Sequence, residues 1–421
     1  MIDLSVVVPA RGEAALAAPL LPPLAAALAA AGCRAELLVV QEPGEPPVLV
    51  PAGVPARVIV APRSGYGEAL QAGFGAAAGA WVLTLDADTA DAAAIATTLW
   101  ARRLDADVVI GSRYVTGGDA RMPPLRAGLS RALNAVFGRG LSLGVRDLSS
   151  GMRLYHAAAI RSLHDLPSEL DVLQSILVQV YAEGWTVAEV PVRYAPLPGG
   201  QSRVRAWRFA TDYLRTFWRL WTLRNSIECA DYDARAHDSA IPLQRYWQRS
   251  RHRHVTDLLA GEGPVLDVGC GSSRIIAALP PGSVAVDVLL RKLRYARRFG
   301  RLRVQGSGFA LPFADASFPC VLCSQVIEHV PKESPILGEL IRVLKPGGRL
   351  VLGTPDYANW EWVVTEWLYG KVAPGAYADE HIAHYTREEL VGRFAGLGFA
   401  HEATRYILRG ELILAFRKPG R

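Results

Sequence analysis

Short apolar runs alternate with longer Ala- and Leu-rich stretches along this chain, and the pattern occurs twice. In the first half the runs are LSVVVP, AELLVV, ARVIVA, WVLTLD and DVVIGS. Runs of this length without polar alternation predict strands covered on both faces, as in a parallel sheet. Between them, Ala14–Ala31, Gly67–Ala78 and Asp91–Leu104 predict helices. From about Val255 the pattern resumes with GPVLDVG, SVAVDV, CVLCSQ and GRLVLGTP. Strand and helix in alternation predict two α/β units. They share an architecture but no repeated motif.

The stretch from Val204 to His254 has a different character. From Arg203 to Arg224 six arginines face one acid, Asp212, with Trp, Phe and Tyr interleaved. Leu214, Phe217, Trp218 and Trp221 fall at helical spacing. A basic amphipathic helix of this kind suits a membrane interface; the competing reading packs the same face on the body of the protein. The boundary between units is expected within Asn225–Leu243, as an ordered connector, because the segment has too little Gly and Ser for a flexible linker. The expected division is therefore 1–202, then basic amphipathic helices and connector over 203–254, then 255–421.

At 421 residues, two or three domains are expected. With 50% hydrophobic and 20% charged residues, the chain is not a disordered, collagen-like or coiled-coil protein. Five cysteines are too few for a disulfide scaffold and suit a reducing cytosol. The most apolar stretch, Ala14–Ala31, is interrupted by Pro19, Pro22 and Pro23, so no membrane-spanning helix is expected. No basic stretch precedes an apolar run at the N-terminus, so no signal peptide is expected either. The net charge is +6, and 46 residues are basic, all but five of them arginine.

In WVLTLDADTAD, Asp86 and Asp88 stand two residues apart just beyond a strand. Carboxylates so placed can hold one hard divalent cation, Mg²⁺ or Mn²⁺. Such a cation stabilises a departing diphosphate. Asp91 reads as a helix-start residue. Around this string lie, in order, VVVPARGE, RSGYGEALQAGFGAAAGAW, DVVIGSRYVTGG, RAGLSRALNAVFG, VRDLSSGMRLY and EVPVRY. The ordered set, over about residues 4 to 224, resembles family 2 glycosyltransferases of the polyprenyl-phosphate sugar synthase (dolichyl-phosphate mannosyltransferase) type. The resemblance implies a GT-A fold and an inverting transfer from a nucleotide sugar. The acceptor it implies is a polyprenyl phosphate or related lipid, reached by peripheral association with the cytoplasmic face of a membrane. It implies Pro9, Glu13, Glu42, Arg63 and Asp86 at the donor and Asp86 and Asp88 at the metal. Around the phosphates and acceptor it implies Asp88, Arg113, Arg126, Ser130, Asn134, Asp147, Ser150 and Arg153. Three features depart from the family. Gln41 and Glu42 stand where two aspartates are expected, Ala90 offers no metal contact, and PGGQSR shortens a basic loop, leaving Ser202 and Arg203.

In the second half, GPVLDVGCGSSRIIAAL reads as strand, glycine turn and helix. Gly269 and Gly271 let the backbone approach a ligand closely. Arg274 occupies the last position of a G-x-G-x-x-G, which argues against a dinucleotide. Asp287, 20 residues after Asp267, suits a ribose diol. With ALPFADASFPCVLCSQVIEHVP and LIRVLKPGGRLVLGTP following, residues 255 to 418 resemble class I S-adenosylmethionine-dependent methyltransferases. The resemblance implies a Rossmann-like fold, with Asp267, Gly269 and Gly271 at the methionine end of S-adenosylmethionine and Asp287 on its ribose. It further implies Ser307 to Leu311 at the adenine and Gln325 near the cofactor. Glu328, His329 and His381 are candidates for methyl transfer, with His384 and Tyr385 nearby; a histidine can act as a base near neutral pH. His381 and His384 are also spaced as a metal pair, with no third ligand evident. Cys320 and Cys323 form a C-x-x-C on a strand and read as core.

The leading expectation is a bifunctional enzyme, a sugar transferase joined to a methyltransferase that acts on a glycolipid or envelope-pathway substrate. A second reading keeps an active methyltransferase and makes the first region an inactive sugar-nucleotide or lipid-binding module, as the altered QEPGEPP segment and Ala90 allow. A third, motivated by the basic connector, is a nucleic-acid methyltransferase; no nucleic-acid-binding fold signature accompanies it, and no nucleic acid is expected as partner.

Overall fold

The computed structural model describes residues 2–10, 12, 14–121, 123–195, 206–364, 367 and 381–420; for 14, 124–126 and 206–213 it describes the backbone alone. The described chain forms two compact units. One runs to Tyr181 and resumes from Trp185 to Arg224; the other comprises Ala182–Gly184 and Asn225 onward.

The first unit contains β1 (Leu4–Pro9), α1 (Ala14–Ala30), β2 (Ala35–Gln41), β3 (Ala56–Val60), α2 (Tyr66–Ala76), β4 (Trp81–Thr84), α3 (Ala92–Ala101) and β5 (Val108–Ser112). There follow β6 (Asp119–Ala120), α4 (Pro124–Gly140), β7 (Arg153–His156), α5 (Ala157–Arg161), α6 (Val172–Ala182), β8 (Val187–Pro191), β9 (Arg193–Tyr194) and α7 (Ala206–Asn225). Seven strands make one sheet in the order β3-β2-β1-β4-β7-β5-β8. Its interior strands β1, β2 and β4 are largely apolar because both faces are covered. Leu4, Val6 and Val8 of β1 join a core with Leu21, Leu24 and Leu28 of α1, while Val7 joins the opposite core with Leu70 of α2 and Ile176 of α6.

α1 runs through all three of its prolines. Pro19, Pro22 and Pro23 are exposed, whereas Ala17, Leu21, Leu24 and Leu28 keep the buried spacing of one helix face. Packing of that face outweighs the lost backbone donors. β7 was not among the expected strands. It lies antiparallel between β4 and β5 and gives the otherwise parallel sheet its one reversed strand.

The second unit contains α8 (Tyr232–His237), α9 (Pro242–Leu259), β10 (Val265–Val268), α10 (Ile275–Ala278), β11 (Val284–Asp287), α11 (Leu290–Ala296), β12 (Leu302–Gln305) and β13 (Phe318–Ser324). Then come α12 (Ile336–Val343), β14 (Leu344–Pro355), α13 (Arg387–Gly396), β15 (Ala400–Ile407) and β16 (Glu411–Arg417). Its sheet order is β12-β11-β10-β13-β14-β16-β15, with β16 antiparallel to both neighbours. β12, β15 and β16 add to the expected strands. Cys320 and Cys323 are fully buried on β13.

The described part of the stretch 203–254, residues 206–254, divides between the two units. α7 belongs to the first unit, where Leu220 is buried and Phe217 meets Phe137 of α4 edge-on at 5.2 Å. α8 and α9 belong to the second, where Val255, Leu258 and Leu259 complete a core under β13, β14 and β16. The inward apolar residues of each helix decide to which unit it belongs, while Leu214 and Trp218 of α7 stay exposed. Among the described residues, no helix is long and apolar enough to cross a membrane.

Candidate functional sites

In the first sheet the strand order turns at β1 and β4, so a crevice opens beyond their C-terminal ends. The turn leaving β4 carries Asp86 and Asp88 there. The Tyr66 hydroxyl, from the start of α2, donates to Asp86 Oδ1 at 2.8 Å, and the Tyr194 hydroxyl donates to Asp88 Oδ2 at 3.2 Å. Gly151 is packed against this pair, since a Cβ there would lie 2.6 Å from both Asp86 Oδ1 and Tyr66 Oη. Burial first, and the charge of Asp88 second, raise Asp86 above the ordinary carboxylate range. Two acids that repel one another in a half-buried crevice fit a divalent cation, which would relieve both effects.

Beside them Arg113 grips Asp147 with two donors, Nε at 2.8 Å and Nη2 at 2.7 Å, and reaches Ser149 Oγ at 2.8 Å. Its guanidinium lies 5.2 Å from the Tyr114 ring centre and 5.7 Å from that of Tyr194. The Tyr114 hydroxyl donates to Ser130 Oγ at 2.8 Å, and Asn134 approaches Ser149 Oγ at 3.4 Å. Arg113, Ser130, Asn134 and Asp147 are thus brought together, and Asp147, fully buried, serves to position Arg113.

Two residues expected at the acceptor are near Asp86 but engaged by backbone carbonyls. Arg153 is fully buried and donates to the carbonyls of Ser150, Leu148 and Leu173, so its charge holds the β7 junction together. Ser150 Oγ donates to the Gly111 carbonyl at 2.7 Å, a brace between segments of the sheet. Pro9 is buried at the end of β1, and Arg63 is exposed on the loop before α2. Glu42 accepts from the Gly65 amide at 3.0 Å, and Gln41 braces its own loop by accepting from Val48 N. Glu13 and the side chain of Arg126 lie outside the described residues, as do Ser202 and Arg203. Beside Tyr114 is a cavity of about 390 Å³ edged by Arg131, Asn134, Arg139 and Arg146. Tyr66, Tyr114, Ser149 and Tyr194 escaped the sequence reading, although each lies in or beside a string that it quoted.

In the second sheet the order turns at β10 and β13, and a cavity of about 600 Å³ opens there. That is ample for a nucleoside-sized ligand. Asp267, Gly269, Gly271, Asp287, Ser307 and Gln325 all line it. Gly269 has φ +71°, and a Cβ there would lie 2.2 Å from Val326. Asp287 accepts from the amides of Gly271 and Leu289, both at 2.8 Å. A carboxylate retains further lone pairs for a diol. Burial, then the charge of Asp287, push Asp267 up to about 7, a strain that a cationic ligand group would relieve.

Leu311 lies in the hydrophobic core, not on the cavity wall; Gly306 to Phe309 form that wall. Residues before β10 also take part. Asp233 of α8 accepts from Ser272 N at 3.1 Å and from Lys292 Nζ at 3.1 Å, and it faces the cavity. Its sequence neighbourhood carries no motif, so it was not legible.

Beyond β13 and β14 several buried polar atoms have no hydrogen-bond partner: Ser324 Oγ, Gln325 Nε2, both Glu328 carboxylate oxygens, Thr354 Oγ1 and Trp362 Nε1. Gln325 also holds φ +61°, unusual for a side chain of its size. Orphaned groups gathered at these strand ends are ones that a bound ligand, ion or water would satisfy. Glu328 is fully buried, and burial pushes its carboxyl up to about 8. His329 lines the cavity and its ring lies 5.0 Å from that of His381. His384 instead stacks on Tyr357 at 4.0 Å, and Tyr385 is core.

Residues 5–163 match the family model described as glycosyl transferase family 2, and residues 266–352 match the one described as methyltransferase domain. An uncharacterized methyltransferase of Mycobacterium sp. (strain JLS) is 32% identical over 198 residues, covering 44% of this chain and 75% of that protein. Another, of Mycobacterium avium (strain 104), is 33% identical over 170 residues, 36% of this chain and 62% of that one. Among solved structures, magnesium protoporphyrin IX methyltransferase from Synechocystis PCC 6803 is 16% identical, with a TM-score of 0.35 over 43% of this chain and 89% of that one. An S-adenosylmethionine-dependent methyltransferase from Mesorhizobium loti is 18% identical, with a TM-score of 0.32 over 42% of this chain and all of that one.

Proposed function

We propose, for a chain that belongs to the S-adenosylmethionine-dependent methyltransferases and carries a family 2 glycosyltransferase domain ahead of that unit, that the first unit glycosylates a polyprenyl phosphate or related lipid and the second methylates an oxygen acceptor of the same envelope pathway. The observation that supports the first half is the half-buried Asp86–Asp88 pair at the turn of the strand order, with Tyr66 and Tyr194 donating to it. Asp86 and Asp88 would hold Mg²⁺ or Mn²⁺, which supplies charge neutralisation to the nucleotide diphosphate.

The rest of the chemistry falls to the chain's own groups. A phosphate acceptor is already anionic at neutral pH, so it needs orientation more than a base. Arg131, Arg139 and Arg146 around the cavity beside Tyr114 suit its phosphate, since arginine forks match phosphate oxygens. Arg113, locked by Asp147, lies by the Tyr114 and Tyr194 rings and acts electrostatically on Asp86. The exposed apolar residues Leu129 and Val136 on α4 and Leu214 and Trp218 on α7 support contact with a lipid surface on the cytoplasmic face.

In the second unit, Asp267 suits the ammonium of S-adenosylmethionine and Asp287 its ribose. The backbone from Gly269 to Gly271 makes room for the sulfonium end. This half needs no lipid and stands on its own geometry.

The braced Gln41–Glu42 loop keeps one other reading in play, in which the first unit binds a sugar nucleotide without turning it over. Incubation with nucleotide sugars, Mn²⁺ and vesicles containing polyprenyl phosphate separates the two. We expect glycolipid to form, and Asp88→Asn to reduce the rate at least about a hundredfold. Nucleotide-sugar binding without any metal-dependent transfer would leave only the binding module.

A further inference from the structure

Glu328, His329 and His381 come from two separate segments, and the fold brings them to one point. Glu328 and His329 sit on the short 3₁₀ turn Ile327–His329 after β13. His381 lies on the segment that leads into α13. That segment is pinned to the turn, because the amides of Ile382 and Ala383 both donate to the Glu328 carbonyl, at 2.8 and 3.0 Å. One carboxylate oxygen and one ring nitrogen from each histidine then lie within 4.8 Å of one another.

We propose that Glu328, His329 and His381 hold a divalent transition-metal ion at the mouth of the methyl-donor cavity, and that this ion binds the hydroxyl oxygen of the methyl acceptor.

Three observations converge on it. The Glu328 side chain is fully buried and neither of its oxygens meets a well-formed hydrogen bond, the Thr354 hydroxyl being the side chain placed to offer one, so a bound ion would satisfy it. Two imidazoles and one carboxylate form a donor set that zinc and its first-row neighbours take with positions left open for substrate. Magnesium and calcium prefer all-oxygen shells. The Tyr357 hydroxyl lies 2.8 Å from His381 Nδ1. With the proton on Nδ1 donated to Tyr357, Nε2 keeps its lone pair for the ion; an outer partner that fixes ring and tautomer accompanies most ligating histidines. Metal–nitrogen bonds of about 2.1 Å put the donors of a tetrahedral site about 3.4 Å apart, so the widest pair needs to close by up to about 1.4 Å.

The site has a chemical use because His329 also lines the cavity. A hydroxyl bound to the ion releases its proton to water more readily. The oxygen lone pair then forms the new O–CH₃ bond while the C–S bond breaks, and its electron pair returns to sulfur as the neutral thioether. The metal keeps its oxidation state throughout. The acceptor class is therefore an alcohol or vicinal diol, not a carbon or an amine. Only this last use rests on the methyltransferase reading; the metal site does not.

The test titrates Co²⁺ into metal-stripped full-length protein carrying Asp88→Asn, which silences the carboxylate pair of the first unit. We expect one Co²⁺ per chain, with the intense visible bands of a nitrogen-containing site of low coordination number. Glu328→Gln and His381→Ala should each weaken binding at least tenfold, and Tyr357→Phe about tenfold. S-adenosylhomocysteine should still raise the melting temperature of all three variants, showing that they fold. No retained Co²⁺, or retention untouched by both ligand substitutions, overturns the proposal. Co²⁺ binding in a protein that ignores S-adenosylhomocysteine would preserve the metal site and remove its methyl-transfer role.

Discussion

Asp267 shows how one buried side chain joins ligand binding to stability. Its neighbours are Asp287 and the glycine turn, and no cation among the described residues offsets it. The folded protein therefore holds the Asp267 proton up to about pH 7, whereas the unfolded chain releases it near the ordinary carboxylate value. Folding takes up protons in that window, so the second unit without ligand loses stability as pH rises from about 4 to 7. A shift from 3.8 to about 7 sets an upper bound of about 4 kcal/mol on the loss. Asp287, also raised, contributes with the same sign. Asp267→Asn cannot ionise and should flatten the pH dependence and raise the melting temperature at pH 8, while abolishing the response to S-adenosylhomocysteine. Thermal scans at pH 5 and pH 8 check both. Arg153 illustrates the opposite limit on reading residues from sequence. An arginine inside SSGMRLY suits a phosphate by chemistry alone, but only the fold reveals that three carbonyls claim it. Asp86 and Asp88 were legible because their spacing and their place after a strand already imply a shared ligand. Asp233, Tyr194 and the Glu328 cluster reach their sites from segments distant in the chain, and local pattern cannot show that.

At the scale of elements, what could be read depended on how each element hides its apolar face. The interior strands were legible because burial on both sides leaves a continuous apolar run, as in β1 and β2. β12 and β15 were not, since as edge strands they are largely exposed, with sequences LRVQ and AHEATRYI. α7 divides its apolar residues in a way helical spacing alone does not reveal. Leu214, Phe217, Trp218 and Trp221 were expected to form one face, yet Phe217 and Trp221 pack against the unit while Leu214 and Trp218 are more than 60% exposed. Thr216 and Arg219 tie the inner side down through Asp171 and Ser175. The outer residues therefore can be altered without cost to the core. Trp218→Glu should weaken binding to anionic vesicles about tenfold or more, the value of one buried aromatic side chain, and leave the melting temperature unchanged. Leu220→Asp should instead unfold the unit. Vesicle sedimentation beside a thermal scan separates the effects, and vesicle binding indifferent to Trp218→Glu would remove α7 from the lipid contact.

Across the whole molecule the same solution appears twice. Each unit is a mostly parallel sheet with helices on its faces, and each gathers its acids where the strand order turns. The recurrence has a physical cause: at such a turn the connections leave the strand ends in opposite directions, so a crevice forms with no further device. What differs is how the acids are compensated. Asp86 and Asp88 stand together, as one proposed cation would need, whereas Asp267 and Asp287 come from adjacent strands and suit two separate groups of one cationic nucleoside. Each site draws all of its described residues from a single unit. Ligands that bind only the folded state stabilise it by mass action, about 2.7 kcal/mol at a hundred times the dissociation constant. S-adenosylhomocysteine, and separately a nucleoside diphosphate with Mn²⁺, should therefore each raise a melting transition of the full chain. Asp88→Asn should silence only the nucleotide response, and Asp267→Asn only the other. If one ligand competes with the other, or if a single substitution silences both responses, the two crevices do not act as two sites and the two-reaction assignment fails.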